Sequence, residues 1–148
     1  MKVLVPLDGS VRAEEALRTA DRLLRNEVGG VLYLHRVSVS PVGESEETSA
    51  SGLKKVEEYL RTVAAHLKEK SYQVQTYVGQ ANGDPAPVIA AKAEALGTDV
   101  IIMCSHGKSA LQQFLLGSTA YKLSRMSKIS VLIVKQTSER EDLDQGGG

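Results

Sequence analysis

The chain has 148 residues, 18 of them Lys or Arg and 18 Asp or Glu, so its formal net charge is zero. That length suits one domain with a real core, and the charge balance argues against a non-specific nucleic-acid binder, which carries a basic stripe. Five Tyr, one Phe and no Trp argue against stacking platforms for bases, and the single cysteine excludes an internal disulfide and fits a reducing compartment.

The N-terminus has too short an apolar run for a signal peptide, and Asp8 interrupts it. No apolar run has the length of a membrane span. The expectation is a soluble cytoplasmic protein with neither a nucleic-acid nor a membrane partner. Val3-Leu4-Val5 reads as a buried strand, with Pro6 at its end. Leu7-Asp8-Gly9-Ser10 is a turn, and Ser10 is placed to cap a helix. Ala13, Ala16, Leu17, Ala20, Leu23 and Leu24 follow at helical spacing, with Glu14 and Glu15 early. After Gly29-Gly30, Val31 to His35 is a second buried strand. Strand, helix, strand implies parallel pairing with a right-handed crossover.

Ser38 to Gly52 is rich in Ser, Glu, Gly and Pro and reads as a surface loop. Leu53, Val56, Leu60, Val63 and Leu67 form the stripe of a second helix, with His66 beside it as a boundary residue without chemistry. Tyr72, Val74 and Thr76 alternate with more polar residues, which suggests a third strand near a sheet edge. Gly79 to Pro87 reads as a loop. Val88, Ile89, Ala93 and Leu96 mark a short third helix ending at Gly97. Val100 to Met103 is a fourth strand, Thr119 to Met126 a helix, and Ile129 to Val134 a fifth strand. Residues 136–148 are acidic, then glycine-only, and read as a disordered tail. The pattern predicts one α/β domain over 1–135, an open doubly wound parallel sheet with helices on both faces.

The chemistry concentrates where the fourth strand ends. Cys104-Ser105-His106-Gly107 follows it at once, and Gly117-Ser118 comes after nine more residues. Strand, glycine turn and helix start present free N–H groups to an anion, so the two clusters together read as a split phosphate nest. The bland reading has Gly107 as a turn residue and Gly117 as a helix cap. Gly107-Lys108-Ser109 is not a P-loop, because Ile102 stands where that motif needs its first glycine. Lys108 and Lys122 are within reach of such an anion by position, though most lysines of this kind are merely solvated. In a doubly wound sheet, ligands bind outside the strand carboxyl ends. If the first and fourth strands are neighbours, Asp8 faces the nest. Phosphate beside a carboxylate suggests a nucleotide with Mg²⁺ on Asp8. An Asx-turn or helix cap is an equal reading of Asp8.

Taken together, these stretches resemble the universal stress protein family in its nucleotide-binding branch. The most specific part is the family's Gly-x2-Gly-x9-Gly-Ser/Thr pattern, here Cys104 to Gly107, nine residues, then Gly117-Ser118. Val3 to Ser10 is similar to the family's opening strand and its nucleotide-contacting Asp. Leu34-His35 is similar to the end of its second strand, and Gly83-Asp84-Pro85 then Ile89 to its turn before the third helix. The resemblance implies a five-stranded parallel sheet of order 3-2-1-4-5. It also implies ATP, ADP or AMP as ligand, with Mg²⁺ and adenine near the first two strands. By position, Pro6 and Asp8 border base and ribose, Arg36 takes the adenine side, and Gly107, Gly117 and Ser118 hold phosphates, with Cys104 and His106 in the same turn. It implies a homodimer through the fifth strand, an edge that would otherwise be a liability.

The chain departs from that pattern twice. Cys104 replaces the first motif glycine, and Arg36 replaces a residue that is usually small and apolar. A side chain at 104 is expected to crowd the phosphates or change the turn. The Arg36 guanidinium has three options: stacking on adenine, reaching a phosphate, or filling the base pocket. Cys104 reads as a small half-buried residue before it reads as a redox sensor. His106 reads as a solvent-facing turn residue, with no carboxylate beside it in sequence to make it a base. The leading functional reading is an adenine-nucleotide-binding stress-response switch acting as a homodimer. Its rivals are a signalling dimer that has lost nucleotide binding and, behind that, a slow ATPase.

Overall fold

The computed structural model describes residues 1–10, 13–40, 46–67, 70–105 and 116–135. Five strands and four helices alternate along the chain: β1 (Lys2–Leu7), α1 (Ala13–Leu24), β2 (Val31–Ser40), α2 (Glu46–Ala65), β3 (Gln73–Asn82), α3 (Ala86–Ala95), β4 (Val100–Cys104), α4 (Ser118–Met126) and β5 (Ser130–Val134). The strands form one parallel sheet of order β3-β2-β1-β4-β5, as expected.

Continuous apolar runs make the middle of this sheet. Val3, Leu4 and Val5 are fully buried, because a central parallel strand is covered on both faces. Val3, Val5, Leu32, Leu34 and Ile102 pack beneath α1 and α2, against Ala16, Ala20, Leu24, Val56 and Leu60. Leu4, Tyr33, Ile101 and Met103 face the other way, against Ala86, Ile89 and Ala93 of α3 and Ala120 and Leu123 of α4. The period of two thus assigns alternate residues of each strand to different layers.

Two expected loops are partly regular. Residues 38–40 continue β2 and residues 79–82 continue β3, in ten unbroken parallel pairs from Val31↔Gln73 to Ser40↔Asn82. Their largely polar composition hid this, since pairing between the strands holds them extended and only Ala81 among them is buried. Gly79 is there for packing: a Cβ on it would lie 2.8 Å from His35 Nε2 and 2.9 Å from Val88 Cγ1. Helix α2 begins at Glu46, a full two turns before Leu53, and carries Gly52 within it. Helix α3 begins at Ala86, inside the second expected loop.

Short-range chemistry sets the other junctions. Asp84 Oδ1 accepts from the Ala86 N–H at 3.0 Å and starts α3, while its Oδ2 meets Lys122 Nζ of α4 at 2.9 Å. The Lys122 contact, with the Ala86 bond, holds the Asp84 carboxyl below the usual carboxylate range. Gly97, at φ +62°, ends α3 in the left-handed conformation that favours glycine. Asp21 gathers the Tyr72 hydroxyl at 2.8 Å, Arg25 at 2.9 Å and Lys70 at 3.3 Å, tying the end of α1 to the start of β3. Among the described residues no helix is long and apolar enough to cross a membrane. The expected tail, 136–148, lies outside the described residues.

Candidate functional site

The crevice follows from the strand order. β1 registers with β2 from Lys2↔Val31 to Leu7↔Arg36, but with β4 only at Val3↔Val100 and Leu4↔Ile101. Pro6, which has no N–H to give, sits where that second pairing has stopped. Beyond Leu4 a cavity of about 480 Å³ lies at the carboxyl ends of β1, β2 and β4. Pro6, Asp8, Arg36, Cys104, Gly117 and Ser118 all line it. Six of the eight residues singled out from the sequence are thereby brought together. The other two, His106 and Gly107, lie outside the described residues, as does Lys108.

One wall is the Asp8 turn. Asp8 Oδ1 accepts from the Ser10 N–H at 2.9 Å and from the Ser10 hydroxyl at 2.5 Å. The Asx-turn reading of Asp8 is therefore present. The Ser10 hydroxyl donates to Asp8, and the Ser10 carbonyl accepts from the Ala13 N–H at 3.2 Å where α1 begins. Among the described residues Asp8 Oδ2 has no hydrogen-bond partner, and it remains available to a ligand hydroxyl or a hard cation. Described His, Cys, Asp and Glu side chains form no group of three or more that could hold a metal. Mg²⁺ is commonly held by one or two carboxylates together with a ligand's phosphates, so Asp8 fits that role only with a nucleotide bound.

The opposite wall is the start of α4. Gly117 is its N-cap residue, and among the described residues no side chain caps the helix. The first N–H groups of a helix have no intrahelical partner, and the helix dipole adds positive potential there. Ser118 and Thr119, in that first turn, line the cavity with Ser105. The Gly117 N–H itself donates to the Ser105 carbonyl at 2.6 Å. Lys122, one turn on, is paired with Asp84.

Between these polar walls the lining is apolar: Val37 and Val39 of the β2 extension, with Pro85, Ile89, Met103 and Ala120. These were not recognisable in the sequence, because a pocket wall and a core share the same residue types. Ser38 was also missed; its signal is its spacing of two from Arg36 along β2.

Arg36 lies on the α1–α2 side of the sheet. Nη1 donates to the Leu7 carbonyl at 3.3 Å, and Cζ stands 5.8 Å from the centre of the Tyr59 ring. A Cβ on Gly9, whose φ is +81°, would be 3.3 Å from Nη1, so the guanidinium rests against the Asp8–Ser10 turn. Nε is buried without a partner. His35, next to it, points to the other face and is fully buried, with neither ring nitrogen bonded among the described residues. Burial, aided by the Lys92 charge, lowers its pKa to about 4, so the ring is neutral at pH 7. Cys104 is 8% exposed and packs with Val5, Leu7 and Ile102.

A 3-2-1-4-5 parallel sheet with a ligand-sized cavity at its reversal point, walled by a carboxylate turn and a helix N-terminus, defines a doubly wound α/β protein with its crevice at the strand carboxyl ends. The profile of the Universal stress protein family matches residues 1–135, and the chain belongs to that family. It is 31% identical to universal stress protein YxiE of Bacillus subtilis, over 90% of this chain and 98% of that one. It is 33% identical to universal stress protein MJ0531 of Methanocaldococcus jannaschii, over 91% and 82%. The solved structure of protein MJ0577 superposes with a TM-score of 0.80 at 27% identity, covering 93% and 96% of the two chains. Two more distant structures share the fold: a universal stress protein in complex with cAMP (TM-score 0.69, 21% identity; 93% and 98% covered) and an Arabidopsis thaliana family member with AMP bound (0.70, 17%; 95% and 94% covered).

Proposed function

We propose that this protein binds an adenine nucleotide in the β1–β4 crevice and works as a nucleotide-responsive regulatory homodimer. One observation carries the reading: the Asp8 turn and the uncapped start of α4 face a single cavity with an apolar wall between them. Adenine lies against Val37, Ile89 and Met103, with Pro6 at its border. The ribose meets Asp8, and the phosphates meet the N–H and hydroxyl groups of Ser118 and Thr119, beside the turn at Gly117, with Gly107 assigned to the same ligand by its place in the sequence motif. Mg²⁺, where it takes part, would be held by Asp8 and would offset phosphate charge. Two family structures with adenine nucleotides bound support the choice of ligand. The dimer pairs β5 with β5, because β5 is an edge strand whose Leu132 is 41% exposed.

The role is binding rather than rapid turnover. Among the described lining residues Asp8 holds Ser10 with Oδ1, and Arg36 rests on the same turn with Nη1 on the Leu7 carbonyl. Mass spectrometry of the denatured, freshly purified protein for co-purified nucleotide tests the reading, followed by calorimetry with ATP, ADP and AMP, with and without Mg²⁺. Binding that falls at least tenfold in Gly117→Val supports it. No nucleotide and no heat would refute it and leave a signalling dimer without a ligand.

A further inference from the structure

Arg36 is a half-buried cation in the cavity wall for which no carboxylate lies within ion-pair distance among the described residues. Its described contacts are weak substitutes for an anion. Nη1 has one long bond to the Leu7 carbonyl, the Tyr59 ring offers only its face, and Nε has no partner. A partly desolvated guanidinium with one buried, unmet donor is costly unless something anionic completes it. The cavity is where that anion can come from.

The position says which part of the ligand carries it. This step rests on the nucleotide reading above. The 5′-phosphates belong at Ser118 and Thr119 and the base against Val37 and Ile89, which leaves the ribose at the Asp8 turn. The guanidinium rests on that same turn, 3.3 Å from where a Gly9 Cβ would be. In dinucleotide folds an acidic side chain at the end of the second strand reads free ribose hydroxyls, and an arginine there accommodates a ribose phosphate. Arginine suits the task because its planar fork donates to two phosphate oxygens at once.

We infer that the site prefers an adenine nucleotide with a second phosphate on the 2′ or 3′ oxygen of its ribose, and that Arg36 receives that phosphate. The ligand then spans the cavity between two anion sites, Arg36 at one end and the first turn of α4 at the other.

The test compares AMP, adenosine 2′,5′-bisphosphate and adenosine 3′,5′-bisphosphate by calorimetry on the wild-type protein, Arg36→Met and Arg36→Lys. In the wild type one bisphosphate binds at least tenfold more tightly than AMP, about the worth of one charge-assisted hydrogen bond; which one binds identifies the ribose oxygen. That ratio falls to within about twofold in Arg36→Met and is intermediate in Arg36→Lys, which keeps the charge without the fork. Equal wild-type affinity for AMP and both bisphosphates overturns the inference and leaves the nucleotide reading intact. A ratio that survives in Arg36→Met overturns the assignment to Arg36. Failure of all three nucleotides to bind the wild type overturns the nucleotide reading and this inference with it.

Discussion

His35 of β2 and Gly79 of β3 are in contact across the sheet in a way that leaves no room for a side chain at 79. The imidazole Nε2 lies 2.8 Å from where a Cβ would be, and Val88 of α3 closes the remaining space. Gly79→Ala therefore forces the imidazole or α3 to move, and the expected loss is about 1–3 kcal/mol. Urea unfolding measures it. The double variant His35→Ala/Gly79→Ala should lose less than the sum of the singles, because the clash disappears with the ring. Strict additivity would show that the two residues do not meet.

His35 also makes stability depend on pH. Its pKa is about 4 in the fold against an ordinary value of 6.5, through burial first and Lys92 second. The unfolded chain thus binds the proton more readily. The contribution is complete above pH 6.5 and is lost as the pH falls through the window down to about 4. Its size is about 3 kcal/mol at most. His35→Leu should flatten the profile of unfolding free energy between pH 7 and 4. An unchanged slope would mean that the imidazole is not held neutral.

The Asp21 cluster should behave as a clamp between α1 and β3. The Tyr72 hydrogen bond, foremost, and the Lys70 and Arg25 charges keep the Asp21 carboxyl below its ordinary range, while burial opposes them. Burial and the Asp21 bond push the Tyr72 phenol up. Tyr72→Phe removes the bond and leaves the ring packed, so about 1 kcal/mol should be lost. A thermal melt reads this as a lower midpoint. No shift would mean that the hydroxyl is equally well satisfied by water.

The cysteine should react slowly in the native protein. Cys104 is nearly closed to solvent and packed among Val5, Leu7 and Ile102, the setting of an inert thiol rather than an activated one. Its reaction with a disulfide reagent should be many times slower folded than in denaturant. Equal rates would place the sulfur at the cavity surface, where it would bear on the ligand.

Leu132 tests the proposed assembly. Light scattering should report a dimer, and Leu132→Glu should shift it toward monomer by placing charge on the β5 edge. A wild-type monomer at working concentration removes the edge-strand dimer.

The contrast between what was readable beforehand and what was not has a physical pattern. The starts of β1, β2 and β4 were evident because central parallel strands must be apolar on both faces, and β5, an edge strand, was evident from its run of Val, Leu and Ile. The ends of β2 and β3 were hidden because Ser38 to Ser40 and Gln80 to Asn82 are mostly exposed or half-buried, with Ala81 alone buried, and pair with one another. The polar part of the site was legible at Asp8, Gly117 and Ser118, because strand carboxyl ends and helix starts have distinctive residues. Its apolar wall was not, since Val37, Ile89 and Met103 look like any core residues. Arg36 could be seen only as an unusual residue at its position; its place against Gly9 and Tyr59 needed coordinates.

The bond from the Gly117 N–H to the Ser105 carbonyl has a consequence for how such a site can change over generations. It joins the end of β4 to the start of α4 directly, so the eleven residues between them are bypassed by a structural short circuit. Closing a longer or shorter segment across a fixed junction alters the entropy only logarithmically. Insertions and deletions there can therefore be accommodated without disturbing the sheet, which makes this junction a natural place for one scaffold to vary in length.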